Sequence, residues 1–213
     1  MTVNSASPRE PSLLEVRDAK RKMPAERHGE LLAKAVEISA AEGLSAVTLR
    51  RVAADLGVTP GLVSHYFSSA EQLIVAAFSK AALADFAEAQ SRVAAAEGPI
   101  AKVDALIDYL LDESSDDASA LWLEAWSLGR RNAALAAEAN ALTDQWLAWL
   151  ADIVRSGAQS GEFHVVDADV AARRLLTMID GLGAQMVVRA VPSAEAKHIA
   201  RSYFTSELGI AAG

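Results

Sequence analysis

The sequence predicts an all-α protein, and three observations carry that prediction. Alanine and leucine, both good helix formers, dominate a chain of 213 residues that is 52% hydrophobic. Runs rich in β-branched residues, which mark strands, are scarce. Apolar residues recur three and four apart in segment after segment, the spacing of one helix face, and only 12 Gly and 6 Pro interrupt them.

Residues 1–22 are polar and mixed in charge, with Pro8 and Pro11 near the start and a basic cluster at Arg17, Lys20, Arg21 and Lys22. Two readings fit: a solvated flexible tail, or an arm that follows a phosphate backbone or enters a minor groove. Pro24 opens the first helix, where a missing N–H costs nothing. Leu31, Leu32, Ala35, Val36, Ile38 and Ser39 form its inward stripe, and Gly43 ends it.

The next stretch, T-L-R-R-V-A-A-D-L-G-V-T-P-G-L-V-S-H-Y-F from Thr48 to Phe67, holds two helix starts and one tight break. Thr48 caps a short second helix by accepting a hydrogen bond from an unpaired backbone N–H. Leu49, Val52, Ala53 and Leu56 give that helix one apolar face. Gly57 ends it in the left-handed conformation, and Val58 pins the turn. Thr59 caps a third helix with Pro60 at its first position, running to about Tyr66. Two short helices around a glycine turn read either as an ordinary helical hairpin or as a helix-turn-helix, whose second helix enters the DNA major groove. Gly61 lets the backbone approach a partner closely. Thr59, Ser64, His65 and Tyr66 offer short or planar polar groups to phosphates and base edges, while Thr48, Arg50 and Arg51 would hold phosphates at the start of the second helix. One of Leu62 and Val63 anchors the third helix to the core. Ser68 or Ser69 then caps a long fourth helix, from about Ala70 to Ala95, with Glu71 in its first turn.

These residues resemble the DNA-binding domain of the TetR-family transcriptional regulators. The family's first-helix pattern A-x-x-x-x-x-x-x-G-x-x-x-x-T is met by Ala35, Gly43 and Thr48. The aromatic pair before an S-x-E-x-L helix start is met by His65-Tyr66-Phe67 followed by Ser69, Glu71 and Leu73. The likeness covers residues 25–80, and V-S-H-Y-F is similar to the choline-sensing betaine regulators of that family. Where the family usually carries a phosphate-contacting lysine, this chain has Ala70. The resemblance implies a cytoplasmic, homodimeric, operator-binding repressor released by a small-molecule effector. Its domains would be a tail over 1–22, a three-helix helix-turn-helix domain over 23–69, and a helical-bundle domain for ligand binding and dimerisation over 70–213.

Beyond the fourth helix, Gly98-Pro99 marks a break. Ile100, Val103, Leu106, Ile107, Leu110 and Leu111 give a fifth helix a wide apolar face. D-E-S-S-D-D, Asp112 to Asp117, reads as a polar turn, because it lacks the glycine and alternating ligands of a calcium loop. A sixth helix holds Leu121, Trp122, Ala125 and Trp126 and ends at Gly129. A seventh, from Ala133 to about Ser156, places Leu142, Trp146, Trp149, Leu150 and Ile153 on one face, and Gly157 to Gly161 end it. G-E-F-H-V-V-D from Gly161 reads as an extended connector, and Asp167 caps an eighth helix through Leu182 and Met186. Pro192-Ser193 breaks it, and a ninth spans about Ala194 to Leu208.

All four tryptophans fall in two helices, Trp122 with Trp126 and Trp146 with Trp149. Either they fill core, or they wall an apolar cavity with Tyr109, Glu124, Asp180 and Gln185 supplying polar specificity. Aromatic faces of this kind attract quaternary ammonium groups. W-L-E-A-W-S-L-G-R-R-N-A-A-L and A-R-R-L-L-T-M-I-D-G-L are similar to the C-terminal domain of the betaine-regulator branch. That similarity implies an Ω-shaped dimer joined through residues 167–208. Leu182, Met186, Ile199 and Phe204 would provide apolar surface there, and Gly181 and Gly183 close approach; the alternative is that these residues finish the monomer core.

The net charge of −8 looks unsuited to DNA, but residues 1–66 carry 9 Lys/Arg against 8 Asp/Glu and residues 67–213 carry 11 against 20. The acid therefore sits outside the DNA-reading part, and specificity has to rest on groove contacts. Zero cysteines exclude disulfides, thiolate metal sites and a cysteine nucleophile. His28, His65, His164 and His198 are scattered, with no H-E-x-x-H, G-x-S-x-G or phosphate loop, so no enzyme, metal or cofactor is expected. No apolar run spans a bilayer and the N-terminus lacks a signal-peptide core, so a soluble cytoplasmic chain is expected. A helical small-molecule-binding or interaction protein without operator binding is the alternative.

Overall fold

The computed structural model describes residues 23–210; the basic cluster at 17–22 lies outside them. Among the described residues the chain forms nine α-helices and two short 3-10 turns, with no strand. The helices are α1 (Pro24–Glu42), α2 (Leu49–Asp55), α3 (Pro60–Tyr66), α4 (Ala70–Ala94), α5 (Pro99–Leu110), α6 (Asp116–Gly129), α7 (Ala133–Ser160), α8 (Ala168–Val187) and α9 (Ser193–Glu207). The 3-10 turns are Leu44–Ala46 and Glu113–Ser115.

Most helix starts are fixed by their own residues. The side-chain oxygens of Thr48, Ser69 and Asn132 each accept the backbone N–H three residues on, at 3.0, 3.1 and 3.0 Å. Asp167 accepts two, from Asp169 and Val170. At α1 the roles reverse, and the Glu26 carboxylate accepts the Met23 N–H at 3.0 Å.

The buried side chains form three clusters, and α4 runs through all of them. Its N-terminal residues Leu73 and Ala77 pack with Leu31, Val52, Val63 and Phe67 of α1–α3 and the residue that follows. Phe78 and Ala82 sit in a middle cluster with Leu44, Ala125, Leu135 and Leu142. Ala89 and Val93 reach the large core of α5 and α7–α9. Alanines at these contacts let the neighbouring helices approach closely. Helix α4 therefore joins the cluster of α1–α3 to the large core of α5 and α7–α9.

Three details differ from the sequence reading. Helix α7 passes through Gly157 and stops at Gly161, which adopts φ 81°. Gly157 is required because the Phe163 ring occupies the space a Cβ would take. Ile100 lies outward, 37% exposed, and Pro99 takes the buried position. Leu182, Met186 and Phe204 point into the chain's own core, at 5%, 4% and 1% exposure. Within one chain these three therefore finish the monomer core, and of the expected apolar dimer surface only Ile199 stays partly exposed.

Candidate DNA-binding face and effector cavity

Helices α2 and α3 are held as a rigid pair by short-range chemistry. Gly57 takes φ 63°, a conformation that favours glycine, and the Val58 N–H closes back on the Ala53 carbonyl at 2.9 Å. Thr59 accepts the Leu62 N–H at 3.3 Å, with Pro60 in the first turn. Val63 is the fully buried anchor and Leu62 is half-buried. Phe67, also buried, stacks on the His28 ring of α1 at 4.8 Å between centroids. Tyr66 lies tilted against the same ring at 6.3 Å and meets His65 edge-on at 5.2 Å.

The outward face of α3 presents Pro60, Gly61, Ser64 and His65, with Tyr66 at its edge. A Cβ on Gly61 would meet only the Thr59 hydroxyl, at 3.9 Å, so nothing within the chain demands glycine there. The Ser64 hydroxyl donates to the Gly61 carbonyl at 3.1 Å and keeps its lone pairs for a partner.

The two arginines of α2 are placed differently from each other. Arg50 is exposed and, among the described residues of 23–69, is the one Lys or Arg outside an ion pair. Arg51 is committed within the domain. Its guanidinium grips both Glu42 oxygens at 2.7 and 2.6 Å and Asp55 at 3.0 Å. The hydrogen bond to Glu42 raises the Arg51 pKa, and the same bond holds the Glu42 carboxyl below its usual value. The expectation that Arg51 serves phosphates therefore gives way to a local role, tying the end of α1 to α2.

A cavity lies between α4–α8. Trp122 and Trp146 wall it, and Trp126, 37% exposed, stands at its edge. Leu110, Leu176 and Ile179 complete the apolar lining. Its volume is ≈ 60 Å³. Two carboxylates reach it, Asp85 from α4 and Asp180 from α8. Tyr109 donates its hydroxyl to Asp85 at 2.8 Å and so stands behind the wall. Desolvation raises the Asp85 pKa and the Tyr109 bond lowers it in part; Tyr109 is itself raised by desolvation and by that carboxylate. Asp180 has no such partner, and burial alone pushes it up to about 6.

Of the residues expected here, Trp122, Trp126, Trp146 and Asp180 come together at the cavity. Trp149 turns instead onto Phe86, at 5.5 Å, and fills core. Gln185 lies outside, bonded to the Gly181 carbonyl at 3.3 Å in a surface groove with Met178 and Tyr203. Asp85 was missed, although its signal is in the sequence. It shares a helix face with Phe78, Ala82, Ala89 and Val93, a carboxylate set in a buried stripe. Among the described residues no group of His, Asp or Glu could hold a metal ion, and no helix is long and apolar enough to cross a membrane.

Comparison with known proteins follows the same division. Residues 31–77 match the family model described as bacterial regulatory proteins, tetR family. Residues 99–209 match that of the BetI-type transcriptional repressor, C-terminal. The regulator BetI 1 of Chromohalobacter salexigens is 31% identical over 161 residues, 73% of this chain and 76% of that protein. BetI of Rhizobium meliloti is 34% identical over 110 residues, 50% of this chain and 53% of its own length. Among solved structures, a transcriptional regulator of Pseudomonas aeruginosa PAO1 superposes with a TM-score of 0.76 at 20% identity, over 92% of this chain and 96% of the other. One from Saccharomonospora viridis in complex with choline has a TM-score of 0.74 at 22% identity, over 84% and 95%. The structural likenesses establish the fold.

Proposed function

This chain belongs to the TetR family of bacterial regulatory proteins, with a C-terminal domain of the BetI type, and from that premise we propose that its cavity takes a small organic cation whose binding releases the protein from its operator. It is a DNA-binding transcriptional regulator, and ligand-responsive repression is typical of the family. The reading face would consist of Thr59, Pro60, Gly61, Ser64, His65 and Tyr66 against phosphates and base edges, with Thr48 and Arg50 at the backbone. One such helix makes few base contacts, so two copies would read two half-sites roughly 34–36 Å apart. The outward groove of α8 and α9, with Gly181, Gln185, Tyr203 and neighbouring Ile199, is the surface left for the second copy.

The ligand class rests on one observation: Asp180, half-buried, lines the same cavity as Trp122, Trp126 and Trp146 and has no ion-pair partner among the described residues. An ionised carboxylate in that position is stabilised by a cation that also faces aromatic rings. The choline held by the Saccharomonospora viridis regulator has this chemistry. Titration of intrinsic tryptophan emission with choline and with its uncharged isostere 3,3-dimethylbutanol tests the reading. Choline is expected to bind about tenfold more tightly or better, the equivalent of roughly 1.4 kcal/mol. Equal affinities would remove the cationic class.

A further inference from the structure

The cavity and the reading helices are joined by a contact that α4 does not make. Glu124 stands on α6 between Trp122 and Trp126, next to the cavity-lining Leu123. Its carboxylate leaves the cavity wall and accepts the backbone N–H of Leu44, in the 3-10 turn that follows α1. Gly43, at φ 87°, lies so close to this carboxylate that a Cβ would overlap it. Leu44 itself is fully buried in the middle cluster, against Ala125 of α6 and Phe78 of α4. One residue before Gly43 is Glu42, the end of α1, whose two oxygens grip Arg51 of α2. The contacts thus run unbroken from the tryptophans through α6, Glu124, the Gly43–Leu44 backbone and Glu42 to Arg51.

We propose that Glu124 is the positioning residue through which the state of the cavity reaches the DNA-reading helices, a second route beside α4. A ligand pressed against Trp122 and Trp126 displaces α6. Because the turn after α1 is closed onto the Glu124 carboxylate with no side chain between, that displacement moves α1, and the Glu42–Arg51 pair carries it to α2 and α3. The same network gives Arg51 its role. The proposal rests on the cavity being the effector site, and its test is independent of which molecule fills it.

The test is backbone amide exchange over residues 45–47 in the full chain, in the wild type and in Glu124→Ala. Each background also carries either Trp126→Ala, which empties one wall, or Ala184→Met, which fills the cavity from α8. With Glu124 present, the cavity substitutions should change exchange at 45–47 by about fivefold or more, the low end of ordinary coupling between sites. In Glu124→Ala they should leave it unchanged. Glu124→Gln, whose amide oxygen still accepts the Leu44 N–H, should restore the response. Glu124→Met, which keeps the volume without the acceptor, should abolish it and serves if the alanine variant folds poorly. The same exchange response in both backgrounds, or none in either, overturns the proposal. Absence of choline binding alongside an intact exchange response would remove the ligand reading and leave Glu124 in place.

Discussion

The DNA-reading half and the regulatory half both pair charges at the surface, but the cavity carboxylates belong to the regulatory half alone. In residues 23–69 the carboxylates of Glu42 and Asp55 pair with Arg51 at the surface. In the regulatory half Asp85 and Asp180 are drawn inward, and Asp180 has nothing to balance its charge. The first arrangement makes a rigid shape from neutral packing and caps, with pairs of this exposed kind adding little. The second leaves an unfavourable group in place, which a ligand of the right charge would relieve. The difference teaches where binding energy can be stored: in a cavity whose own chemistry is incomplete.

The sharpest way to separate the halves is Phe67→Ala. It removes a ring that is 2% exposed and stacked on His28, and it should destabilise the DNA-reading half by about 3–5 kcal/mol. All four tryptophans lie in the other half, so their emission reports that half alone. In urea the helical circular dichroism should lose part of its amplitude early while the tryptophan midpoint holds. Parallel loss of both signals would show one cooperative unit and break the comparison.

Protonation of Asp180 is the next largest effect. Its folded pKa of about 6 exceeds the unfolded value near 3.8, so its contribution to stability is fully present below about pH 4 and is lost as pH rises through 6. The difference between wild type and Asp180→Asn should grow over that window to at most roughly 3 kcal/mol, in favour of the variant at pH 7. Choline affinity should move the other way, falling up to tenfold per pH unit below 6 in the wild type and staying flat in Asp180→Asn. Urea titrations and choline titrations across pH 4–7 read both slopes.

Two glycines give the smaller effects. Gly157→Ala should cost about 1–3 kcal/mol, because the Phe163 ring must move. Gly61→Ala should leave stability unchanged or raise it by up to about 1 kcal/mol, since its Cβ meets nothing closer than 3.9 Å in a helix that prefers alanine. The same substitution should weaken operator binding at least tenfold without lowering thermal stability. Undiminished operator affinity would remove Gly61 from the reading face.

The halves also differ in how far the sequence exposes them. Thr48, Gly57, Thr59, Pro60 and Ser69 act on atoms within a few residues, so α2, α3 and the start of α4 are legible from the chain alone. The end of α7 was not, because Gly157 serves a ring six residues on rather than a helix stop. Leu182, Met186 and Phe204 follow an apolar pattern that cannot say whether a partner or the chain's own core takes them. Trp149 shares a helix face with Trp146 and both meet Phe86 of α4, yet only Trp146 reaches the cavity. Arg51 reads as a phosphate ligand until Glu42, nine positions earlier, closes on it. In each case the deciding atom belongs to another helix or another turn.

A cation bound in the regulatory half is expected to change what the other half does. Fluorescence anisotropy of duplexes from the protein's own upstream region, with random duplex as competitor and a choline titration on the same samples, measures it directly. Tight binding that survives competitor and is released as choline quenches the tryptophans is the predicted result. Operator binding that stays tight at choline concentrations saturating the tryptophan signal would contradict it.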